Sequence, residues 1–147
     1  MASIPLFLDL VTGRLRASVT DDREVSMRAI AQNDIARIGL TLVQDGAAVT
    51  ATTLSGAAFA ATLRQPGATT DDTALAQATS ATVASEVATF SLDLTGAAID
   101  DYFDEHDGAE LQAILEIRIT APATAWRHSW RIPAVIARAL FTASPTT

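Results

Sequence analysis

Apolar and polar residues alternate with a period of two along most of this chain. The clearest run covers residues 111–119, in which every odd-numbered position is apolar. Shorter runs of the same kind lie at 35–44, 58–64 and 86–94. Because successive side chains of a strand point to opposite faces of a sheet, each run predicts a half-buried β-strand.

A second strand follows the clearest run after a short turn at residues 121–124. In it Trp126, His128, Trp130 and Ile132 alternate with mostly polar residues. Two adjacent strands joined by a short turn predict an antiparallel hairpin. We interpret the two tryptophans as core anchors of an alanine-rich chain, and the histidine between them as a neutral one. A row of aromatic side chains can also form a sugar-stacking platform, and that alternative stays open.

The number and spacing of the alternating runs predict the fold class. We count roughly seven to nine strands, turn signals about every ten residues, and at most one short helix, at residues 97–103. This pattern is typical of an all-β fold, an Ig-like antiparallel β-sandwich.

The predicted sandwich domain covers residues 35–141. Residues 1–34 have the weakest claim to its core and are predicted to form an N-terminal hairpin or docking arm. The small, polar residues 142–147 are predicted to be a frayed tail. Within the domain, residues 65–82 are rich in Thr, Asp, Ala and Gly and predict a long exposed loop with room for one weak strand.

The composition excludes several kinds of chemistry before any motif is considered. A chain of 147 residues can bury one self-supporting core and is too short for two ordinary domains. It contains no cysteine and no lysine, which excludes disulfides, a thiol nucleophile, a Schiff-base lysine and a P-loop lysine. The net charge of −7 and the pI of about 4.6 argue against a nucleic-acid partner.

The hydropathy pattern predicts no membrane partner. The longest uncharged stretch, residues 46–63, is broken by Gly56 and by several threonines, which a membrane-spanning helix would not tolerate well. The N-terminus has no basic segment before its first apolar residues, so we expect no cleaved signal peptide and synthesis in the cytoplasm.

The chain contains no recognisable catalytic constellation. Its two histidines, His106 and His128, are too few for a three-histidine zinc site, and the sequence has no His-Glu-x-x-His motif. It also has no Gly-x-Ser-x-Gly elbow, and the neighbours His128 and Ser129 would point to opposite faces of a strand. We therefore predict a protein that is not an enzyme, with no catalytic residue, no cofactor and no metal ligand.

The densest run of charge lies at residues 100–107 and is followed by Gly108. A calcium loop of the EF-hand type needs acidic groups at positions 1, 3 and 5, glycine at 6 and glutamate at 12. With Gly108 at the glycine position, Phe103 would be first and Ile114 last, so the match fails. We interpret the run as a solvated acidic corner, and an irregular metal site within it stays as the alternative.

Three arginines form a candidate interface on the predicted hairpin. Arg127 and Arg131 share the polar face of the last strand, and Arg118 lies on the neighbouring strand. Arginine is favoured at interfaces because its guanidinium offers several donors in a fixed fork. The stripe fits a docking surface for an acidic partner. An ordinary polar sheet face, paired with Glu116, explains the same pattern, and both interpretations stay open.

Several segments match the strand-and-turn pattern of a known family. They are residues 5–15, 33–46, 54–64, 88–96 and 108–119 with the tryptophan-containing hairpin that follows. From Asn33 onward the chain resembles the N-terminal β-sandwich domain of tailed-phage baseplate upper proteins and of related tail-fibre or minor tail proteins. Asn33 stands here where the family usually has the glycine of a Gly-Asp start.

This resemblance implies a structural module of a virion that binds other tail or baseplate proteins. Such modules often form homo-oligomers, frequently trimers, and the family has no catalytic residues to carry over. A receptor-binding segment commonly follows the domain, whereas this chain ends at Thr147, so we expect an adaptor or accessory subunit of the tail tip or baseplate, made in the host cytoplasm. A capsid decoration protein and a free-standing carbohydrate-binding module are the alternatives.

Overall fold

The computed structural model describes residues 4–50, 58–67, 74–120 and 127–139 of the chain. Within these residues the chain forms eleven β-strands and one α-helix. The strands are β1 (Ile4–Asp9), β2 (Leu15–Arg16), β3 (Ile30–Ala31), β4 (Ile35–Gln44), β5 (Ala47–Ala48), β6 (Ala58–Arg64), β7 (Ala74–Ala78), β8 (Thr82–Ala84), β9 (Val87–Asp93), β10 (Glu110–Thr120) and β11 (Arg127–Ala137). The helix α1 (Ala97–Glu105) lies between β9 and β10.

The strands form two packed sheets, which confirms the predicted all-β fold with at most one short helix. The first sheet has the strand order β2-β1-β4-β9-β8, with β5 beside the end of β4. The second sheet has the order β3-β11-β10-β6-β7. Apolar side chains of both sheets and of α1 meet in one core, so each sheet buries one face.

The longest paired elements, β10 and β11, form the predicted antiparallel hairpin. Their register runs from Glu110 opposite Ala137 to Thr120 opposite Arg127. β10 also pairs antiparallel with β6, so it has a strand on each side. The odd-numbered side chains of residues 111–119 are buried, as the alternation predicts. This three-stranded region is the centre of the second sheet.

Two strand pairs are parallel, so both sheets are mixed rather than fully antiparallel. β1 runs parallel to β4, from Ile4 opposite Ile38 to Asp9 opposite Val43. β3 runs parallel to the end of β11. In both pairs the partner strands are distant in sequence, so no tight turn between them dictates an antiparallel direction.

The N-terminal segment contributes to both sheets and to the core. It begins with the antiparallel pair of β1 and β2 and ends with β3 on the second sheet. Leu8 and Ile30 are 0% and 2% exposed and belong to the same core cluster as the other strands. The segment is thus more firmly anchored than its weak pattern predicts, because it crosses from one sheet to the other. That residues 1–34 dock to a partner stays a prediction, and the predicted frayed tail, 142–147, lies outside the described residues.

The predicted long loop at residues 65–82 contains one edge strand of the second sheet. This strand, β7, pairs antiparallel with β6, and the register shifts between Leu63 and Arg64. The weak strand for which the pattern left room is therefore present. Residues 68–73 of the predicted loop lie outside the described part of the chain.

The predicted helical turns form α1, which covers one end of the core. Ile99 and Phe103 are buried on its inner side, as predicted, together with Tyr102. The Tyr102 hydroxyl donates a 2.7 Å hydrogen bond to the Gln112 carbonyl and so joins the helix to β10. Burial raises the pKa of Tyr102 above its usual value.

Candidate functional site

The predicted interface arginines lie on the outer face of the second sheet. The side chains of Arg118 on β10 and Arg131 on β11 are 54% and 62% exposed. They point away from the core because their chain neighbours Ile117 and Ile132 are buried in it. Arg127 begins β11, but its side chain lies outside the described part of the structure.

A buried carboxylate joins the exposed arginines to a third one. Glu116 Oε1 is 3.2 Å from Nη2 of Arg118 and 3.3 Å from Nη2 of Arg64. Glu116 Oε2 is 3.5 Å from Nε of Arg131. The Glu116 and Arg64 side chains are 9% and 6% exposed, so this ion pair is buried although it lies on an outer face. We call these four residues the arginine cluster.

The pairing of three neighbouring strands brings the arginine cluster together. Arg131 lies directly opposite Glu116 across β10 and β11. On the other side of β10, Thr62 lies opposite Glu116, and Arg64 is two residues further along the same face of β6. Arg118 is two residues from Glu116 on β10 itself. Direct and diagonal neighbours on one sheet face are within reach of long side chains.

The sequence pattern predicts Arg118 and Arg131 as interface residues but does not include Arg64. A local signal for Arg64 is present, because it ends the alternating run 58–64 on the face opposite the buried Leu63. The pairing of β6 with β10 is what the sequence does not reveal, since Arg64 and Glu116 are 52 residues apart. The interpretation of a polar face paired with Glu116 and that of an interface are both compatible with this geometry.

The electrostatics of the arginine cluster favour contact with an anionic group. Among the described residues, three guanidinium groups lie around one carboxylate, and those of Arg118 and Arg131 face solvent in a chain of net charge −7. Burying a carboxylate is costly unless it is paired, and both oxygens of Glu116 are paired. Each guanidinium has five N–H donors, so three guanidinium groups together have more donors than one carboxylate can accept. The outward donors of Arg118 and Arg131 can therefore bind acceptors of another molecule.

Trp130, on the inner side of β11, packs against the core. It is half-buried, and its ring lies beside Gly13 in the turn between β1 and β2. A Cβ at Gly13 would come within 3.3 Å of the Trp130 ring, and Gly13 has a φ of 73°, so two constraints favour glycine there. The predicted core role of Trp130 agrees with this packing. The side chains of Trp126 and His128 lie outside the described residues.

A groove of about 630 Å³ lies beside the arginine cluster. Its walls are the turn at residues 12–15, the segment 24–27 and residues 131–133 of β11. Among the described residues, β3 pairs only with the end of β11, so this stretch of the strand edge faces the groove. Pro133 has no N–H and Arg131 is charged, and both features protect a sheet edge from strand addition. The groove is therefore a poor place for a β-strand of another molecule to pair with the edge of β11.

The acidic run predicted as a solvated corner lies at one end of the second sheet. Six exposed carboxylates occur from Asp100 to Glu110, on α1, in the loop after it and at the first residue of β10. Arg138 donates hydrogen bonds of 3.0, 2.8 and 2.8 Å to the carbonyl oxygens of Phe103, His106 and Gly108. No group of three or more His, Asp or Glu side chains in the described ranges is arranged to hold a metal ion.

No protein-family model and no curated protein matches the sequence. In the part of the chain that the structure describes, no helix is long and apolar enough to cross a membrane. The two surface features from which a function can be inferred are the arginine cluster on the second sheet and the run of carboxylates at the end of that sheet.

Proposed function

We propose that this protein is a structural protein of a phage virion, an adaptor or accessory subunit of the tail tip or baseplate. It is made in the host cytoplasm, assembles into the particle, and binds other tail or baseplate proteins through the arginine cluster. The resemblance of the chain from Asn33 onward to baseplate and tail-fibre domains supports the virion role. The arginine cluster is the observation that carries the assignment of a contact surface.

The arginine cluster has the properties of a protein-docking surface. Arg118 and Arg131 present their guanidinium groups to solvent, while Glu116 holds both at its base. A side chain that is already oriented loses less conformational entropy on binding than a free one. Arginine also forms bidentate hydrogen bonds with carboxylates, which adds geometric specificity. An acidic surface of a neighbouring protein is therefore the partner chemistry that fits.

The strands beneath the arginine cluster supply a rigid base. β10 is paired on both sides along the cluster, with β6 and with β11. The inward side chains Leu115 and Ile117, on either side of Glu116, are 0% and 1% exposed. Close-packed cores resist displacement, so the outer side chains of these strands keep their positions. A surface of this kind suits a subunit that holds a fixed place in an assembly.

A capsid decoration protein would use the same fold and surface at another place in the particle. The two assignments differ in copy number, because the symmetry of the site sets the number of subunits. A tail or baseplate subunit is expected in a small multiple of three or six, and a decoration protein on the order of hundreds.

A free-standing carbohydrate-binding module has less support. It needs exposed tryptophans, whereas Trp130 is half-buried and packs against the core. Acrylamide quenching of tryptophan fluorescence measures this exposure in solution. Blue-shifted, weakly quenched emission is expected for the virion role, and strong quenching that a glycan relieves would favour the module.

The test of the proposed function reverses the charge of the two exposed arginines. Particles assembled with the Arg118→Glu/Arg131→Glu chain are purified, and the chain is quantified by mass spectrometry. We expect its amount to fall by at least about tenfold, because like charges then face the acidic partner. The control Arg28→Glu/Arg37→Glu makes the same change of charge at exposed positions outside the cluster and is expected at the wild-type level.

Two results would contradict the proposed function in different ways. If the wild-type chain is absent from purified particles, the virion role is wrong. If the cluster variant enters particles as well as the control variant does, the virion role stands and the contact surface lies elsewhere. Circular dichroism of both variants establishes that each one folds before the particles are compared.

A further inference from the structure

The carboxylates between residues 100 and 110 form a second charged surface, which we call the acidic end. It consists of six exposed side chains, Asp100, Asp101, Asp104, Glu105, Asp107 and Glu110. Among the described residues none of them is part of an ion pair, and Asp100 accepts one hydrogen bond, from the Gln32 amide. The acidic end therefore holds six of the 17 acidic side chains of the protein.

The placement of these carboxylates on α1 is electrostatically unfavourable. Asp100 and Asp104, and likewise Asp101 and Glu105, are like charges four residues apart, which repel each other across one helical turn. Asp104 and Glu105 also lie in the last turn, where the helix itself has no basic residue and the Arg138 guanidinium offsets the negative end of the helix dipole. A cationic surface placed against the outward side of α1 would relieve the repulsion between the carboxylates.

The nearby Arg138 supplies one positive charge against six carboxylates. Its guanidinium donates to the carbonyl oxygens of Phe103, His106 and Gly108 and, among the described residues, is in no ion pair with a carboxylate. The ring of Phe103 also lies 4.8 Å from this guanidinium, on the inner side of the helix. The outward side of α1, with Asp101, Asp104 and Glu105, is left to solvent.

The acidic end and the arginine cluster are too far apart to neutralise each other within one molecule. Along β10, Glu110 is four residues from the position opposite Arg64, six from that opposite Arg131 and eight from Arg118, which corresponds to about 13, 20 and 26 Å. The screening length at physiological ionic strength is about 8 Å. Each copy therefore presents one positive and one negative surface that remain available to a neighbour.

We infer that the arginine cluster of one copy binds the acidic end of a second copy, with Arg118 and Arg131 facing the outward carboxylates of α1. This inference rests on the proposed function, since it names the partner of the same surface. The two contacting surfaces are different, so the contact is head-to-tail and each bound copy keeps one unused surface. Such a contact closes into a ring where its rotation permits, and otherwise extends into a chain.

The charge pattern favours a second copy of this protein as the molecule that binds the arginine cluster. The cluster presents the exposed guanidinium groups of Arg118 and Arg131, and the outward side of α1 presents the carboxylates of Asp101, Asp104 and Glu105 to accept them. Forked guanidinium groups match carboxylates in geometry as well as in charge. A contact dominated by charge is expected to weaken strongly with salt, because exposed charges are screened.

The experiment is a charge swap measured by sedimentation velocity of the purified full chain. One variant carries Arg118→Glu and Arg131→Glu, and the other carries Asp101→Arg and Glu105→Arg. At low salt, about 50 mM, the wild type is expected to associate, and each variant alone to associate at least about tenfold more weakly. A mixture of the two variants restores association, because each supplies the surface that the other has lost. A variant that had merely unfolded would not be rescued in this way.

The controls separate a specific contact from general charge effects. The Arg28→Glu/Arg37→Glu chain keeps both surfaces and is expected to associate like the wild type at low salt. At about 500 mM salt the association of every chain is expected to be lost. A wild type that stays monomeric at low salt and high concentration overturns the inference, as does a mixture that fails to associate.

Failure of this inference and failure of the proposed function give different results. If the wild type is monomeric but the cluster variant is lost from particles, the cluster binds another protein and only the self-contact is wrong. If the wild type associates through the cluster but the cluster variant enters particles normally, the self-contact stands and the proposed role of the cluster in the virion is wrong.

Discussion

Each of the two sheets has a largely buried ion pair on its outer face. The two pairs differ in whether the arginines around them have N–H donors left for another molecule. On the first sheet Arg16 Nη1 is 3.0 Å from Asp9 Oδ2, with side chains 9% and 15% exposed. On the second sheet Arg64 and Glu116 are buried to a similar degree. Burial alone therefore does not distinguish a structural ion pair from one at a binding surface.

The pair of Arg16 and Asp9 on the first sheet makes its further hydrogen bonds to residues nearby in the sequence, and we call it the closed pair. Arg16 also donates to the carbonyl oxygens of Ser18 and Val19, at 3.0 and 3.1 Å. Asp9 Oδ1 accepts hydrogen bonds from the N–H groups of Val11 and Thr12. All these groups lie within about ten residues of one another, so the pair holds the hairpin turn and the loop after it and has little left for a partner.

The pair of Arg64 and Glu116 on the second sheet is bordered by exposed arginines on its outer side, and we call it, with those arginines, the open pair. Glu116 is shared among three arginines from three strands, and two of those arginines are more than half exposed. The comparison teaches that the exposed guanidinium groups around a buried pair, rather than the pair itself, indicate a contact surface. Four predictions test this difference, in order of decreasing effect.

Removing the shared carboxylate is expected to have the largest effect on stability. In Glu116→Ala the three guanidinium groups lose the carboxylate that they share and repel one another. We expect the free energy of unfolding to fall by about 3 kcal/mol, the low end of the range for breaking a buried ion pair. Urea denaturation measures it, with the exposed Glu86→Ala as the control. A loss no larger than that of the control would mean that Glu116 does not hold the cluster together.

Truncating the closed pair is expected to cost somewhat less. Arg16→Met keeps the apolar stem but removes the contacts to Asp9 and to two carbonyl oxygens, so we expect a loss of about 2 kcal/mol in urea denaturation. The variant should associate and assemble like the wild type, because the Arg16 guanidinium contacts groups of its own hairpin and of the loop after it. The exposed Arg23→Met is the matched control. Loss of assembly in a folded Arg16→Met chain would remove the distinction between the two pairs.

The pH dependence of stability is expected to reveal the closed pair. Burial alone would raise the pKa of Asp9, but hydrogen bonds from Val11 and Thr12 and the Arg16 guanidinium outweigh it and lower that pKa. The folded state therefore binds a proton less readily than the unfolded state, whose pKa is about 3.9. The contribution of Asp9 is present above this value and is lost as the pH falls through the lower, folded pKa.

Thermal unfolding of the wild type and of Asp9→Asn between about pH 6 and pH 3 measures this contribution. We expect the difference in stability to be largest above about pH 5 and to shrink toward pH 3. The exposed Asp22→Asn serves as the control and is expected to give a small difference throughout. A difference between wild type and Asp9→Asn that does not vary with pH would contradict the role assigned to Asp9.

Removing one exposed arginine of the open pair is expected to have the smallest effect on stability. Arg118→Ala and Arg131→Ala should each change the free energy of unfolding by less than about 0.5 kcal/mol, since exposed ion pairs contribute little. Both variants should nevertheless weaken association in sedimentation velocity. A stability loss comparable to that of Glu116→Ala would assign these arginines to the fold rather than to a contact surface.

Local patterns predicted much of the fold correctly. The alternating runs at 35–44, 58–64 and 86–94 correspond to β4, β6 and β9 to within two residues at each end. The two apolar positions proposed for the short helix, Ile99 and Phe103, are both buried in α1. These elements are predictable because the side chains of each strand or helix distribute between core and solvent according to its own period.

The candidate site was predictable only in part. The outward positions of Arg118 and Arg131 follow from the same alternation that buries Ile117 and Ile132. The participation of Arg64 does not follow, because it depends on which strand lies beside β10. The weak alternation of residues 1–34 likewise gave no sign that β1 and β3 would join different sheets.

The amino-acid sequence by itself determined the long strands β4, β6, β9, β10 and β11, the helix α1 and the outer-face positions of Arg64, Arg118 and Arg131. It did so because periodicity is a local property of consecutive residues. Only the tertiary structure decided that β1 and β3 pair in parallel and that Arg64 meets Glu116. These features depend on strand order and register between distant segments, which no local pattern contains.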